Sequence, residues 1–298
     1  MIIPQTAAML CGAISKFPTD TADYVMEEKY DGMRGLVVLD DNGVTVWNRH
    51  GQDKSRIKAQ PGLLREFTDL VKQFPSLAEG TLLDGELWAP SWNEVMHLMA
   101  PSGSNAEEMS NLKFIVFDVL YFEGEDLTEK PWSYRRALLE RVLAPTTSEN
   151  SIIQLGRLLP LSMDAVDEIW DRGGEGVILK LKESQYFQGG RNHWFKLKAE
   201  YTADGVITRF TKGGGKYSDT FGAVVISQYR DGVLTEVSQM SGMDDATRRN
   251  FDPARDVGRV IEMKHYGKTI NKRYRHPQWK RWRDDKEATD CTWEASEG

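Results

Sequence analysis

From Lys113 to Phe122 the chain reads Lys-Phe-Ile-Val-Phe-Asp-Val-Leu-Tyr-Phe, an apolar run broken only by Asp118. A run of this length without polar alternation predicts a strand buried on both faces, because neither side of its pleat can be left in water. The first part of the chain is therefore expected to be built around this strand, with cover on each side.

The flanking segments supply that cover. Short β-rich runs are expected over residues 23–28, Met33–Asp40 and 44–47, the last two joined through Asp41-Asn42-Gly43, a strong hairpin signal. Asp31-Gly32, separated from Lys29 only by Tyr30, favours a turn, so that Lys29 closes the first strand and opens onto a meander. Leu63, Leu64, Phe67, Leu70 and Val71 recur at helical spacing within 56–74, with Pro61-Gly62 delaying the start. A strand is expected over Thr81–Trp88, a short helix over 92–99 and a polar loop over 100–111. Pro131 introduces a helix over Trp132–Leu143, whose Arg135, Arg136 and Arg141 are expected to face solvent. A helix over 163–172 ends at Gly173-Gly174. Strands follow at 177–181 and Trp194–Lys198, the latter with Lys196 and Lys198 on one side.

Past Lys198 the texture changes. Short β-rich runs over 205–210, 221–229, 233–239 and 259–266, one helix over 244–251 and the glycine-rich Lys212-Gly213-Gly214-Gly215-Lys216 suggest a small closed barrel of about five strands, an OB-fold. The triple glycine is expected to be a mobile loop. The fold class is α+β: antiparallel sheets with flanking helices over 1–201, then a β-barrel OB-fold domain over 202–298. The polar, acidic residues 287–298 read as a frayed tail.

At 298 residues and a net charge of −7, the chain has room for two cored domains and no general polyanion-binding surface. One segment reverses the charge. Over 255–286, Lys264, His265, Tyr266, Lys268, Lys272, Arg273, Tyr274, Trp279, Trp282 and Arg283 interleave cations with aromatics, a mixture suited to phosphate backbones and sugars. Cys11 and Cys291 lack metal-ligand spacing. No apolar stretch approaches the roughly 18 residues that cross a bilayer, so a cytoplasmic protein without a membrane partner is expected.

Lys29-Tyr30-Asp31-Gly32-Met33-Arg34 is a weak motif alone. It is followed in order by Asn48-Arg49-His50-Gly51, Asp84-Gly85-Glu86, Phe117-Asp118, Glu175-Gly176-Val177-Ile178-Leu179-Lys180, Trp194-Phe195-Lys196-Leu197-Lys198 and Arg283-Asp284-Asp285-Lys286. The ordered set resembles the covalent nucleotidyltransferase superfamily and, within it, the ATP-dependent DNA ligases, over residues 29–286.

That resemblance implies a nucleotidyltransferase (adenylation) domain followed by an OB-fold domain, and a three-step reaction. Lys29 attacks the α-phosphate of ATP, AMP passes to the 5′-phosphate of a nick in double-stranded DNA, and the 3′-hydroxyl displaces AMP. Mg2+ assists. The implied roles are Glu27 for the adenine amino group and Phe117 for stacking. Glu86 serves the ribose, and Arg34 and Arg49 serve ribose or the 5′-phosphate. Glu175, helped by Asp31, acts through the metal, and Lys196 and Lys198 bind the α-phosphate. Arg283 and Lys286, with Asp285 in the same block, orient the leaving pyrophosphate. Chemically the set is coherent, since a lysine nucleophile needs cations or desolvation to lose its proton and the phosphate needs converging positive charge. The stretch before Lys29 is short for the helical DNA-binding domain of larger ligases, so a minimal two-domain, monomeric enzyme is expected.

The alternatives are a GTP-dependent mRNA-capping guanylyltransferase or an RNA ligase of the same superfamily, and a non-catalytic OB-type nucleic-acid-binding protein. Glu27 and the form of the 194–198 block favour the DNA ligase.

Overall fold

The computed structural model describes residues 8–54, 60–100, 111–144, 148, 150–268 and 271–293. Residues 55–59, which fall in the expected 56–74 helix, and 101–110, which fall in the expected 100–111 loop, lie outside the described residues. The chain forms two compact units, Met1–Leu197 and Lys198–Gly298.

The first unit contains β1 (Gly12–Ala13), β2 (Tyr24–Glu28), β3 (Met33–Asp40), β4 (Gly43–Asn48), α1 (Gln60–Gln73), β5 (Thr81–Trp88), α2 (Trp92–Leu98), β6 (Lys113–Phe122), β7 (Glu125–Asp126), α3 (Trp132–Leu143), β8 (Ile153–Leu155), β9 (Leu158–Leu159), α4 (Met163–Asp171), β10 (Gly176–Leu181) and β11 (Trp194–Lys198). One sheet runs β4-β3-β5-β6-β7 with β8 beside β6, and the second runs β1-β11-β10-β2-β9. Leu63, Phe67 and Leu70 of α1, Val95 and Leu98 of α2 and Leu139, Val142 and Leu143 of α3 pack on one face of the first sheet. Leu36, Val38, Leu82 and Leu120 on its other face meet Tyr186 and Trp194 between the sheets. Val166 and Ile169 of α4 cover the far face of the second sheet over Val177 and Leu179.

The long apolar run is β6, buried on both faces as its composition requires. Its contact with β5 is irregular. Gly85 pairs with Val116 and Asp84 with Asp118, leaving Phe117 as an extra residue without a partner across the ladder. Such a bulge re-aims a side chain, and here that side chain is Phe117.

Two local expectations are corrected in the first unit. β2 and β3 do not run on as one meander, because the two strands belong to different sheets. Gly32 is required by crowding: a Cβ there would lie 2.3 Å from the Leu87 carbonyl oxygen and 2.9 Å from Glu86 Cγ. Arg135 and Arg136 do not face solvent, being 0% and 8% exposed, whereas Arg141 does. Arg135 forks onto the buried Asp118 at 2.7 and 2.8 Å and donates to the carbonyls of Lys130 and Ser184 at 2.6 and 3.2 Å. The charge–period pattern of a helix does not reveal an acid supplied by a distant strand.

The second unit contains β12 (Tyr201–Lys212), β13 (Phe221–Arg230), β14 (Val233–Met240), α5 (Asp245–Arg248), α6 (Pro253–Asp256), β15 (Val260–His265) and β16 (Gln278–Trp282), in the sheet order β14-β13-β12-β15-β16. β12 begins earlier than the run 205–210, since Tyr201 already pairs with His265. Of the expected 244–251 helix only Asp245–Arg248 is helical, and a second short helix opened by Pro253 follows beyond it. The triple glycine is a tight turn in which Gly213 donates to Thr220 O at 3.1 Å and Gly215 has φ +57°. Residues 287–293 are not frayed: Cys291 is 1% exposed, the Tyr229 amide donates to the Cys291 carbonyl at 2.7 Å, and the Trp293 amide donates to the Tyr229 carbonyl at 2.8 Å. Residues 294–298 lie outside the described residues. Among the described residues no helix is long and apolar enough to cross a membrane.

Candidate active site

Lys29 follows β2 at the crossing from one sheet to the other, where its amide donates to Gly176 O at 2.9 Å and ties it to the start of β10. Its Nζ lies 2.5 Å from Glu175 Oε2, the residue just before that strand, and the two side chains are 23% and 11% exposed. The amine is thus aimed from both ends, by backbone and by carboxylate.

Glu27, two residues earlier on β2, is 4% exposed. Its Oε2 pairs with Lys180 Nζ at 2.8 Å, while its buried Oε1 accepts no hydrogen bond. Arg34 is the second residue of β3, in the other sheet. Its guanidinium forks onto the fully buried Asp84, reaching Oδ2 at 2.5 Å, and lies 4.7 Å above the Phe117 ring. Tyr186 Oη completes this knot with a 2.7 Å hydrogen bond to Asp84. The acid that the structure gives to Arg34 is the first residue of Asp84-Gly85-Glu86, whereas the sequence drew attention to the third.

Glu86 sits across the ladder from Arg34. Burial pushes its carboxyl up to about 7, against the pull of Arg34 and Lys29. A carboxyl raised in the folded state adds stability that is complete below its unfolded value near 4.5 and is lost as pH rises through 7. The melting temperatures of ligand-free wild type and Glu86→Gln are therefore expected to differ least near pH 5. By pH 8 the glutamine variant should be the more stable, by a few degrees at about 2–4 °C per kcal/mol. A difference independent of pH would remove this ionisation from the account.

Asp31 and Lys196 are half-buried, Lys196 on β11 paired with Ala13. Arg49 is exposed and donates to His50 Nε2 at 3.1 Å. Its turn is fixed by Asn48, whose Oδ1 accepts the amides of His50 and Gln52 at 3.0 Å each. Register sets Asn48 opposite Gly35, next to the Arg34–Glu86 row. The first unit therefore brings Lys29, Arg34, Glu86, Phe117 and Glu175 into one neighbourhood, and Glu27 joins it through Lys180, which also touches Phe117.

Lys198, the last residue of β11 and the first of the second unit, has Nζ 5.4 Å from the Tyr266 ring of that same unit. Within the second unit Arg283 is bound from two sides. Nη1 meets both oxygens of Asp204 at 2.9 and 3.0 Å, and Nε and Nη2 meet Asp285 at 2.8 Å each. The Arg283 hydrogen bonds hold the Asp285 carboxyl down at about 2. Lys286 Nζ reaches Asp204 Oδ2 at 2.5 Å. Sequence reasoning missed Asp204, for a single acid in a strand carries no signal, and Lys180, although it closes a block already singled out.

The interleaved aromatics of 255–286 are largely structural. Tyr274 and His265 are 7% and 6% exposed, and Trp279 and Trp282 pack against the barrel core. Lys264, Arg273, Lys280 and Arg281 pair with Glu200, Glu236 and Glu262.

A family model described as the ATP dependent DNA ligase domain matches residues 5–198, and one for a DNA ligase OB-like domain matches 212–283. The chain is 27% identical to DNA ligase C2 of Mycolicibacterium smegmatis, over 98% of this chain and 94% of that protein. It is 30% identical to a DNA ligase of Pyrobaculum neutrophilum, over 82% of this chain but only 44% of that protein. Its fold matches a structure from a study of Lig E DNA ligases with a TM-score of 0.70 at 20% identity, over 93% of this chain and 99% of that one. The matches do not favour the guanylyltransferase and RNA ligase alternatives. The chain belongs to the ATP-dependent DNA ligase family, with an adenylation domain followed by an OB-like domain.

Proposed function

We propose that this chain seals 5′-phosphate/3′-hydroxyl nicks in duplex DNA, with residues 1–201 as the adenylation domain and 202–298 as the OB-fold domain. The observation that carries the proposal is the Lys29–Glu175 contact at 2.5 Å, with the open Glu27 Oε1 two residues away in sequence. A nucleophilic amine must be neutral and directed, and a carboxylate at that distance both directs Nζ and can accept its proton. Nζ attacks the α-phosphorus of ATP, the phosphoramidate N–P bond forms, and the bond to pyrophosphate breaks. A 5′-phosphate oxygen then takes the adenylyl group from Lys29, and the nick's 3′-hydroxyl displaces AMP.

Glu27 accepts the adenine amino group, Phe117 stacks on the base, Glu86 holds the ribose and Arg34 and Arg49 guide ribose or the 5′-phosphate. Lys196 and Lys198 stabilise the charge that builds on the phosphate. Arg283 and Lys286, in a block shared with Asp285, receive the pyrophosphate.

Among the described residues no group of three or more His, Cys, Asp and Glu forms a cation cage. Glu175, whose Oε2 lies 2.5 Å from Lys29 Nζ, and the half-buried Asp31 offer carboxylate oxygens, directly or through water, that fit a Mg2+ arriving on the nucleotide phosphates. Bound there, the ion would neutralise phosphate charge.

The test is sealing of a 5′-phosphorylated nicked duplex with ATP and Mg2+. Joined strands are expected with ATP, together with a mass increase on the protein equal to one adenylyl group. An adduct formed from GTP alone, or no joining of an adenylated protein's nicked substrate, would overturn the reading. Sealing should run on protein that sediments as a monomer.

A further inference from the structure

Lys180 has no role in the reaction described so far, yet it is 1% exposed and lies between the two sheets. It shares a face of β10 with Ile178, which packs in the layer between the sheets, whereas Val177 and Leu179 face α4. An apolar side chain of similar length would fill that space without the desolvation cost of an ammonium. Packing alone therefore does not account for a lysine.

Its contacts converge on the two groups that would hold the base. Nζ pairs with Glu27 Oε2 at 2.8 Å and donates to the main-chain carbonyl of Phe117 at 3.1 Å. It also lies 4.7 Å from the Phe117 ring centroid and 4.3 Å from that of Trp194. Phe117 is the bulged residue of β6, with no partner across the ladder, so the ammonium supplies a hydrogen bond at a point where the sheet is irregular. Glu27 is left with one satisfied oxygen and one open one. Arg136 Nη1 lies 3.9 Å from Oε1, beyond hydrogen-bond reach, and that nitrogen already donates to Gly156 O at 2.7 Å. A buried carboxylate oxygen without a donor is costly unless a ligand supplies one.

We propose that Lys180 is the positioning residue for base selection: it clamps Glu27 through Oε2 and Phe117 through its carbonyl, so that Oε1 is presented to the exocyclic amino group of a purine stacked on the ring. The proposal rests on Glu27 facing adenine. Removing the clamp frees the carboxylate to turn and the bulge to relax, and the amino group then loses its fixed acceptor. Nothing in the clamp touches the phosphates, so the chemistry at Lys29 is affected only through nucleotide binding.

The experiment measures lysyl-adenylate formation by intact mass, with kcat and KM, using ATP and purine riboside triphosphate, which lacks the 6-amino group. Wild type should favour ATP by about 10–100-fold in kcat/KM, the range for one hydrogen bond to a charged group. In Lys180→Met the preference should fall to about threefold or less, mainly through a higher KM for ATP. The amino-less analogue should change little. Lys180→Gln, whose amide can still donate to Glu27, should fall between the two, and it decides the matter if the methionine variant does not fold. Variants that lose activity with both nucleotides equally, leaving the ratio at its wild-type value, would show that Lys180 only supports the fold. A wild type that uses both nucleotides equally would instead remove Glu27 as the base reader, and the clamp's purpose with it.

Discussion

Lys29→Ala protein, incubated with ATP labelled on the α-phosphate and then denatured, is expected to retain no label, and its sealing of a 5′-phosphorylated nick should fall by at least about 10⁴-fold. The expectation follows from geometry as much as from chemical type. Lys29 is fixed at its backbone by Gly176 and at its tip by Glu175, and the neighbouring lysines at 196 and 198 lie on a different strand. None of them can replace an amine held at the sheet crossing. Glu175→Gln should be gentler, about 10²–10⁴-fold, because the amide still accepts a hydrogen bond but no longer takes a proton. Label retained by the alanine variant would refute a covalent role for Lys29.

The second large effect is on stability. Arg135→Met should destabilise the first unit by about 3–5 kcal/mol, read as a fall in denaturation midpoint, because it leaves the carboxylate of Asp118 buried with its fork removed. Methionine fills much of the volume, so the loss reports charge rather than a cavity. The double variant Arg135→Met/Asp118→Leu should recover a large part of that loss, since an apolar pair carries no desolvation penalty. The carbonyls of Lys130 and Ser184, which Arg135 also serves, set the limit of the recovery. A single variant as stable as wild type would mean that the pair contributes nothing to the fold.

The same pair shows where sequence reading reaches its limit. On α3 the arginines fall in a pattern that reads as a solvated face, and Arg141 obeys it. Arg135 does not, because Asp118 is placed beneath it by a strand that is apolar nearly throughout. Arg34 is similar: its position after Lys29 marks it as a phosphate or ribose ligand, but the side chain is first engaged by Asp84 and Tyr186. Buried ion pairs bring together residues distant in sequence, and no local period encodes them.

In the second unit the relation is reversed. Its cation–aromatic alternation reads as a surface for nucleic acid, but the core of this five-stranded unit takes large side chains, with Tyr274 buried in it and Trp279 and Trp282 packed against it. The cations on the same strands are left outside, several of them paired with glutamates.

By itself the sequence determined the element types, the central burial of β6, a second β-rich unit and the ordered blocks that mark the ligase family, because propensity, periodicity and short motifs are local in the chain. Tertiary structure decided that β2 and β3 part into separate sheets at Lys29, that a bulge turns Phe117, and that Lys180 and Asp204 are partners of predicted site residues. These depend on ladder register and on contacts between strands far apart in sequence, where one residue of slip changes which side chains meet.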